Sequence, residues 1–70
     1  MTLWSRIEEL ARRRGKPAYM VLQLGGVSMM TIRLLREGYI PKRADTRQRI
    51  AAALGVSEAE LFQIADAGRD

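Results

Sequence analysis

The sequence contains no cysteine and no histidine, and only two of its seventy residues are proline. Disulfide bonds are therefore excluded, and so are the common zinc sites built on Cys or His. No apolar run approaches the roughly 18 residues of a membrane-spanning helix, and residues 1–10 lack the apolar block of a signal peptide. We expect a cytoplasmic protein of bacterial or phage origin that needs no cofactor.

Positive charge is concentrated in the first four-fifths of the chain. Residues 1–57 carry eleven Lys or Arg against four acids, a net charge of +7, whereas residues 58–70 carry one Arg against four acids, a net charge of −3. A cationic domain of this size favours a polyanionic partner, with nucleic acid first and anionic lipid second. Charge alone does not choose between them.

Glycine and proline divide the chain into helical segments. Apolar residues recur at helical spacing between these breaks, and strand-like alternation is absent, so the sequence predicts one all-α domain over residues 1–70. The five predicted helices are residues 3–14, a two-turn helix from Pro17 to Gly25-Gly26, a helix from Met29 that stops at Gly38, a helix from about Asp45 to Gly55, and a helix after Ser57 with a frayed tail over residues 67–70.

Several charged side chains have predicted partners on their own helix. The acid-first pairs four residues apart are Glu8 with Arg12 and Glu9 with Arg13, each worth about 0.2–0.5 kcal/mol on an exposed face. Asp45 and Gln48 resemble a capping box at the start of helix four. Arg14 and Lys16 have no such partner, which leaves them freer to bind a ligand.

The phrase Gly-Val-Ser occurs twice, at residues 26–28 and 55–57. Each copy predicts a tight turn, a hydrophobic staple, a capping serine and a new helix. At the third helical position the second copy has Glu60, whereas the first has Thr31. Without an acid there, we expect the amides and partial positive charge of helix three to stay available to an anion.

Helix three has two unlike faces. At 100° per residue, one face carries Thr31, Ile32 and Leu35, and the other carries Met29, Met30, Arg33, Leu34 and Glu37. If Ile32 and Leu35 are core residues, the two methionines point outward with Arg33 and Leu34. A contiguous exposed apolar group usually marks a contact surface.

From residue 6 to residue 62 the chain resembles the Cro and lambda-repressor-like helix-turn-helix domains, without a gap. The matching landmarks are Gly15, Val21, Gly26-Val27-Ser28, Ile32, Leu35, Gly38, Ile50-Ala51, Leu54-Gly55-Val56-Ser57 and Leu61. The resemblance implies a compact five-helix domain whose second and third helices form the helix-turn-helix. Residues 18–24 would cross the DNA backbone, and residues 29–36 would lie in the major groove.

This placement gives the outward residues of helix three a role. Met29, Met30 and Leu34 would read thymine methyl groups by contact, and Arg33 would bond O6 and N7 of guanine. Residues expected at the DNA backbone are Lys16, Ala18, Tyr19, Ser28, Arg36, Lys42 and Arg43. Phe62 is expected in the core, as is Trp4, although Phe62 and Ile64 could instead form a dimer seam.

The sequence departs from the family pattern at several positions. Ala18 stands where the family often has Gln, Leu22 where it usually has Ala, and Arg47 where it commonly has an apolar residue. Gly25 could return the space that Leu22 takes. At positions 36 and 37 the family often has Glu or Asn-like polar residues, and this sequence has Arg36 and Glu37. The usual polar base readers of the family are therefore missing. Such a recognition face is also compatible with an engineered DNA-binding protein on this scaffold.

The expected function is sequence-selective binding of double-stranded DNA, most simply by a transcriptional regulator that occupies an operator. A homodimer on two half-sites is expected, and a monomer with an unusually good fit is the alternative. A second hypothesis is a protein-interaction module, antitoxin-like or a phage regulatory partner, that uses Met29, Met30 and Leu34. An enzyme is disfavoured, since the sequence has no Ser-His or Cys-His pair and no metal-ligand cluster.

Overall fold

The computed structural model describes residues 2–67, and the side chains of residues 2–63. Five α-helices form over residues 2–67. This range contains no strand, so the predicted all-α class is confirmed. The helices are α1 (Leu3–Arg13), α2 (Ala18–Leu24), α3 (Met29–Arg36), α4 (Ala44–Leu54) and α5 (Glu58–Ala67). None of them is long and apolar enough to cross a membrane.

The helix boundaries differ from the predicted ones in four places. Helix α2 begins at Ala18, so Pro17 is its N-cap and does not lie in its first turn. Helix α1 ends one residue early, with Arg14 as its C-cap. Helix α4 begins at Ala44 after the N-cap Arg43, and no side chain caps it, so the capping box predicted at Asp45 is wrong. Asp45 lies inside the first turn of α4. Residue 67 belongs to α5, and the rest of the predicted frayed tail lies outside the described residues.

The repeated Gly-Val-Ser phrase produces the same backbone geometry twice. Gly26 and Gly55 both have positive φ, +87° and +73°, a conformation that other L residues rarely adopt. In each copy the valine N–H reaches back five residues to a helix carbonyl, as in a Schellman motif. The two bonds are Val27 N–H to the Leu22 carbonyl at 2.9 Å and Val56 N–H to the Ala51 carbonyl at 3.1 Å.

Apolar side chains from all five helices form one core. Among the described residues no charged or polar residue is buried, and Trp4 packs partly buried against the core, as predicted. The radius of gyration is 10.8 Å, close to the value of about 11 Å typical of a folded chain of this length. The buried residues are Leu3, Ile7, Leu10, Ala11, Ala18, Val21, Leu22, Val27, Ile32, Leu35, Ile50, Ala51, Ala53, Leu54, Leu61 and Phe62.

Gly25 allows α2 and α4 to approach each other closely. Its φ of −85° is ordinary, so conformational freedom is not the reason for glycine here. A Cβ at position 25 would overlap the Cβ of Ala53 and would lie 2.9 Å from the Ala53 Cα. Leu22, one turn earlier on α2, is fully buried. Gly25, the C-cap of α2, and Leu22 thus both lie against the rest of the fold, and the suggestion that Gly25 returns the space taken by Leu22 stays a prediction.

Arg47 holds the connection between α3 and α4 against the core. Its Nε donates a hydrogen bond to the Pro41 carbonyl at 2.7 Å, and its guanidinium lies 4.6 Å from the centre of the Phe62 ring. Such a cation–π contact contributes about 0.5–2 kcal/mol, depending on desolvation. Pro41 is itself buried. Arg47 therefore links the connection before α4 to the Phe62 ring in the core.

Gly25→Ala should lower the free energy of unfolding by about 2 kcal/mol or more, because overpacking forces α2 and α4 apart. Adding Ala53→Gly should recover part of the loss by removing one of the overlapping methyl groups. The measurement is a double-mutant cycle by urea denaturation.

The matched control is Ala52→Gly, which makes the same change at an exposed neighbour on α4. Gly25→Ala and Ala52→Gly should be additive within about 0.5 kcal/mol. Additivity of Gly25→Ala with Ala53→Gly as well would contradict the close contact.

Candidate nucleic-acid interface

The outward face of α3 is apolar at its first turn. Met29, Met30 and Leu34 are 58%, 65% and 37% exposed, whereas Ile32 and Leu35 are buried in the core. The predicted orientation of the helix is confirmed by this pattern. Three large apolar side chains are therefore exposed together on one helix face, an arrangement that often marks a contact surface.

Basic side chains share this face with the methionines. Met29, Met30, Arg33 and Arg36 line one open depression of about 380 Å³. Within residues 2–67, no carboxylate forms an ion pair with Arg33 or Arg36, and the pairing of Arg33 with Glu37 four residues on is not formed. Both arginines are exposed. Their N–H groups can therefore donate hydrogen bonds to solvent or to a partner.

Gln23 joins α2 to the first residue of α3, and the sequence did not indicate this contact. Its Nε2 donates a hydrogen bond to the Met29 sulfur at 2.8 Å. A thioether is a weak acceptor, so the bond orients the flexible methionine more than it stabilises the fold. Met29 is therefore held toward α2, while no hydrogen bond of this kind holds Met30 in the described residues.

The N-terminus of α3 is capped but carries no acid. The Ser28 hydroxyl accepts a hydrogen bond from the Thr31 N–H at 3.2 Å and lies 3.0 Å from the Thr31 hydroxyl. The first turn of α3 has no acidic residue, whereas that of α5 has Glu58 and Glu60. The predicted difference in charge is confirmed. The expectation of open amides is corrected at Thr31, whose N–H is already occupied by Ser28.

The residues expected at the DNA backbone around α2 differ in accessibility. Lys16 and Tyr19 are exposed, whereas the Ala18 side chain is buried, so only the main chain of Ala18 can serve an outside partner. Pro17 is the N-cap of α2 and supplies no side-chain hydrogen bond.

Lys42 and Arg43 lie in the connection that Arg47 anchors, and both are exposed. Arg43 Nε is 3.4 Å from an Asp45 carboxylate oxygen, in a pair whose side chains are 80% and 65% exposed. Exposed pairs of this kind contribute little, and a phosphate can replace the carboxylate at small cost. The connection thus presents two adjacent cations on a backbone that is fixed to the core.

Basic residues at the end of α1 are largely committed within the protein. Arg13 is 2.9 Å from Glu9, as predicted, and Arg6 adds a longer contact of 3.5 Å to the same carboxylate. The predicted pair of Glu8 with Arg12 does not form among the described residues.

Arg14 is a structural residue, so the expectation that it is free for a ligand is wrong. Its Nη1 donates a hydrogen bond to the Ala53 carbonyl at 2.8 Å, in the last turn of α4. A cation there satisfies a carbonyl that the helix leaves without a partner and complements the negative end of the helix dipole. The contact ties the end of α1 to the end of α4.

The expectation that Phe62 lies in the core is confirmed, and the alternative of a dimer seam is corrected at this residue. This side chain is 1% exposed and belongs to the core of its own chain, where Arg47 covers its ring. A side chain buried within its own chain offers no surface to a second copy. The side chain of Ile64 lies outside the described residues.

No family model, curated protein or solved structure matches the chain. A function for this surface therefore has to be inferred from its residues and their geometry. Among the side chains that the structure describes, those of residues 2–63, no group of three or more His, Cys, Asp or Glu could hold a metal ion.

Arg14→Ala should lower the free energy of unfolding by about 1 kcal/mol, because a carbonyl at the end of α4 loses its charged donor. Arg12→Ala is the matched control, since it removes the same charge from an exposed position on α1 and should change stability by less than about 0.5 kcal/mol. Urea denaturation of both variants measures the difference. Equal losses would show that the Arg14 contact contributes nothing beyond its charge.

Proposed function

We propose that the protein is a sequence-selective double-stranded DNA-binding protein of the Cro and lambda-repressor-like helix-turn-helix type. The observation that carries the proposal is the outward face of α3, where exposed methionines stand beside Arg33 and Arg36 with no acid paired to either within residues 2–67. Major-groove edges offer methyl groups and paired acceptors, and this set of side chains complements both.

The arrangement of α2 and α3 supports a helix-turn-helix. The two helices contact each other, residues 25–28 connect them, and Val27 in the connection is buried. Contacts of α2 with α1 and α4 support it from behind. A short helix held on a rigid support, with its far face uncovered, has the form of a recognition helix that enters a groove.

Contacts with bases and contacts with phosphates come from different residues in this proposal. Met29, Met30, Arg33 and Leu34 read base edges. Phosphates are bound by Lys16, Tyr19, Arg36, Lys42 and Arg43, with the main chain of Ala18 and the cap at Ser28 nearby. Phosphate contacts set affinity and register for every sequence, whereas the α3 side chains select among sequences.

The simplest biological role is that of a transcriptional regulator that occupies an operator in a bacterial or phage-infected cytoplasm. One domain of this size contributes about 600–1,000 Å² of contact, so useful affinity favours two copies on half-sites one helical turn apart. Since Phe62 is committed to the core, a pairing surface has to use other residues.

A protein-interaction module is the second candidate, and one observation favours it. Leu24 on α2 is 71% exposed, and Tyr19 and Met20 are also exposed, so apolar surface extends beyond α3. Burial of such side chains in a protein interface would be favourable. The adjacent cations Lys42 and Arg43 favour DNA, because a phosphate backbone explains them and an apolar partner does not.

Selection of bound duplexes from a randomised library tests the proposal directly. We expect an enriched motif that contains thymine beside guanine, and binding that weakens steeply between two salt concentrations. A palindromic motif would indicate two copies on the DNA. Weak, salt-sensitive binding without any enriched sequence would contradict the proposal and favour a protein partner for α3.

Arg33→Ala and Lys42→Ala should have different consequences on the enriched site. Arg33→Ala should weaken binding by about 1–3 kcal/mol and relax the preference at one base pair. Lys42→Ala should weaken all sequences alike and reduce the salt slope by about one. Titration of specific and scrambled duplexes at several salt concentrations measures both effects.

Arg12→Ala controls for the loss of one surface charge, since Arg12 is exposed on α1. If Arg33→Ala leaves the base preference unchanged, α3 is not the helix that reads the sequence.

A further inference from the structure

The α3 depression is lined by hydrogen-bond donors and apolar groups, and its only side-chain acceptors among the described lining residues are the weak thioether sulfurs of two methionines. Its lining consists of two thioethers and two guanidinium groups, from Met29, Met30, Arg33 and Arg36. Arginine can only donate hydrogen bonds. The Met29 sulfur, a weak acceptor, already receives the amide of Gln23 at 2.8 Å. The lining therefore has no carboxylate or amide oxygen with which to bind a donor on a base.

This composition limits how the depression can recognise a pyrimidine. In the major groove cytosine presents an N4 donor, which is normally read by a carboxylate, and thymine presents an O4 acceptor and a 5-methyl group. Because the four lining residues include no carboxylate, the strong acceptor that normally reads the cytosine donor is missing from them. The feature that its thioethers can detect is the methyl group at C5. A guanine with two acceptors, O6 and N7, satisfies the arginine beside them.

We propose that this depression reads a 5-methylated pyrimidine beside a guanine, so that 5-methylcytosine is recognised as well as thymine. The inference rests on the proposed DNA-binding function and specifies its ligand. Thymine and 5-methylcytosine carry the same methyl group at the same position of the major-groove edge. A reader that depends on apolar contact therefore responds to methylation of cytosine at its site.

Met30 is the side chain that makes the methyl contact. It is 65% exposed, while Met29 is turned toward Gln23 on the neighbouring helix. A thioether is polarizable and unbranched, so it can follow the small displacement between a thymine and a 5-methylcytosine in the same step. Met20 on α2 is also exposed but does not line the depression, which makes it a matched control.

The test uses four duplexes that carry the enriched site and differ only in the base pair that holds the pyrimidine beside guanine. They contain thymine, uracil, 5-methylcytosine or cytosine. Thymine against uracil and 5-methylcytosine against cytosine are each a comparison of one methyl group. Burial of a methyl group corresponds to about a fourfold gain in affinity, so we expect the dissociation constant to fall by about fourfold in both comparisons.

For each comparison, the methyl ratio is the dissociation constant of the duplex without the methyl group divided by that of the duplex with it. In the full chain, Met30→Ala should bring both methyl ratios close to one. Met20→Ala should leave both at their original value. Thermal melting by circular dichroism checks that each variant is folded, as expected for substitutions at exposed positions. The ratios are internal to each protein, so a small uniform loss of affinity does not alter them.

Three results would overturn the inference. Methyl ratios near one in both comparisons, on a site that is still enriched and salt-sensitive, would refute methyl reading and leave the DNA-binding function intact. A methyl ratio of about four for thymine against uracil, together with a ratio near one for 5-methylcytosine against cytosine, would refute recognition of 5-methylcytosine. If no duplex is enriched at all, the proposed function fails and the inference fails with it.

Discussion

The close packing of Gly25 against Ala53 is the constraint on which the rest of the structure depends. Because residue 25 has no Cβ, α2 lies against α4 while it also contacts α1 and α3. The fully buried Leu22 fills the centre of this arrangement. With α2 held in this way, α3 contacts both α1 and α2 and buries Ile32 and Leu35, while Met29 and Met30 on its other side are exposed. The exposure of Met29 and Met30 is thus a consequence of where α2 can lie.

Local chemistry then determines the electrostatic character of the exposed helix. The two Gly-Val-Ser turns have the same backbone geometry and the same capping serine, yet only α5 places acids in its first turn. Such acids would cancel the positive end of the α3 dipole and would pair with Arg33 or Arg36. Their absence from the first turn of α3 keeps this face cationic as well as apolar, and the proposed binding to DNA depends on that combination.

Net charge is a poor guide to which basic residues serve a partner. Arg14 and Arg47 contribute to the net charge as much as Arg33 does, but each donates to a main-chain carbonyl and joins two parts of the fold. Arg47 also covers the Phe62 ring. The cations in the connection, Lys42 and Arg43, owe their fixed position to that anchoring. Some of the basic residues therefore stabilise the fold, and others are exposed and could contact a polyanion.

The sequence by itself determined that five helices form and, to within one or two residues, where they begin and end, because periodicity, glycine stops and serine caps act within a few residues. It also determined that Met29, Met30 and Arg33 share an outward face of α3. Only the tertiary structure decided which side chains meet across the fold. Arg14 contacts a carbonyl 39 residues away, and Gln23 contacts the Met29 sulfur on the next helix. Such contacts depend on how helices cross, which no local pattern encodes. The capping box at Asp45 was mispredicted for a different reason, because α4 begins two residues earlier, after Arg43.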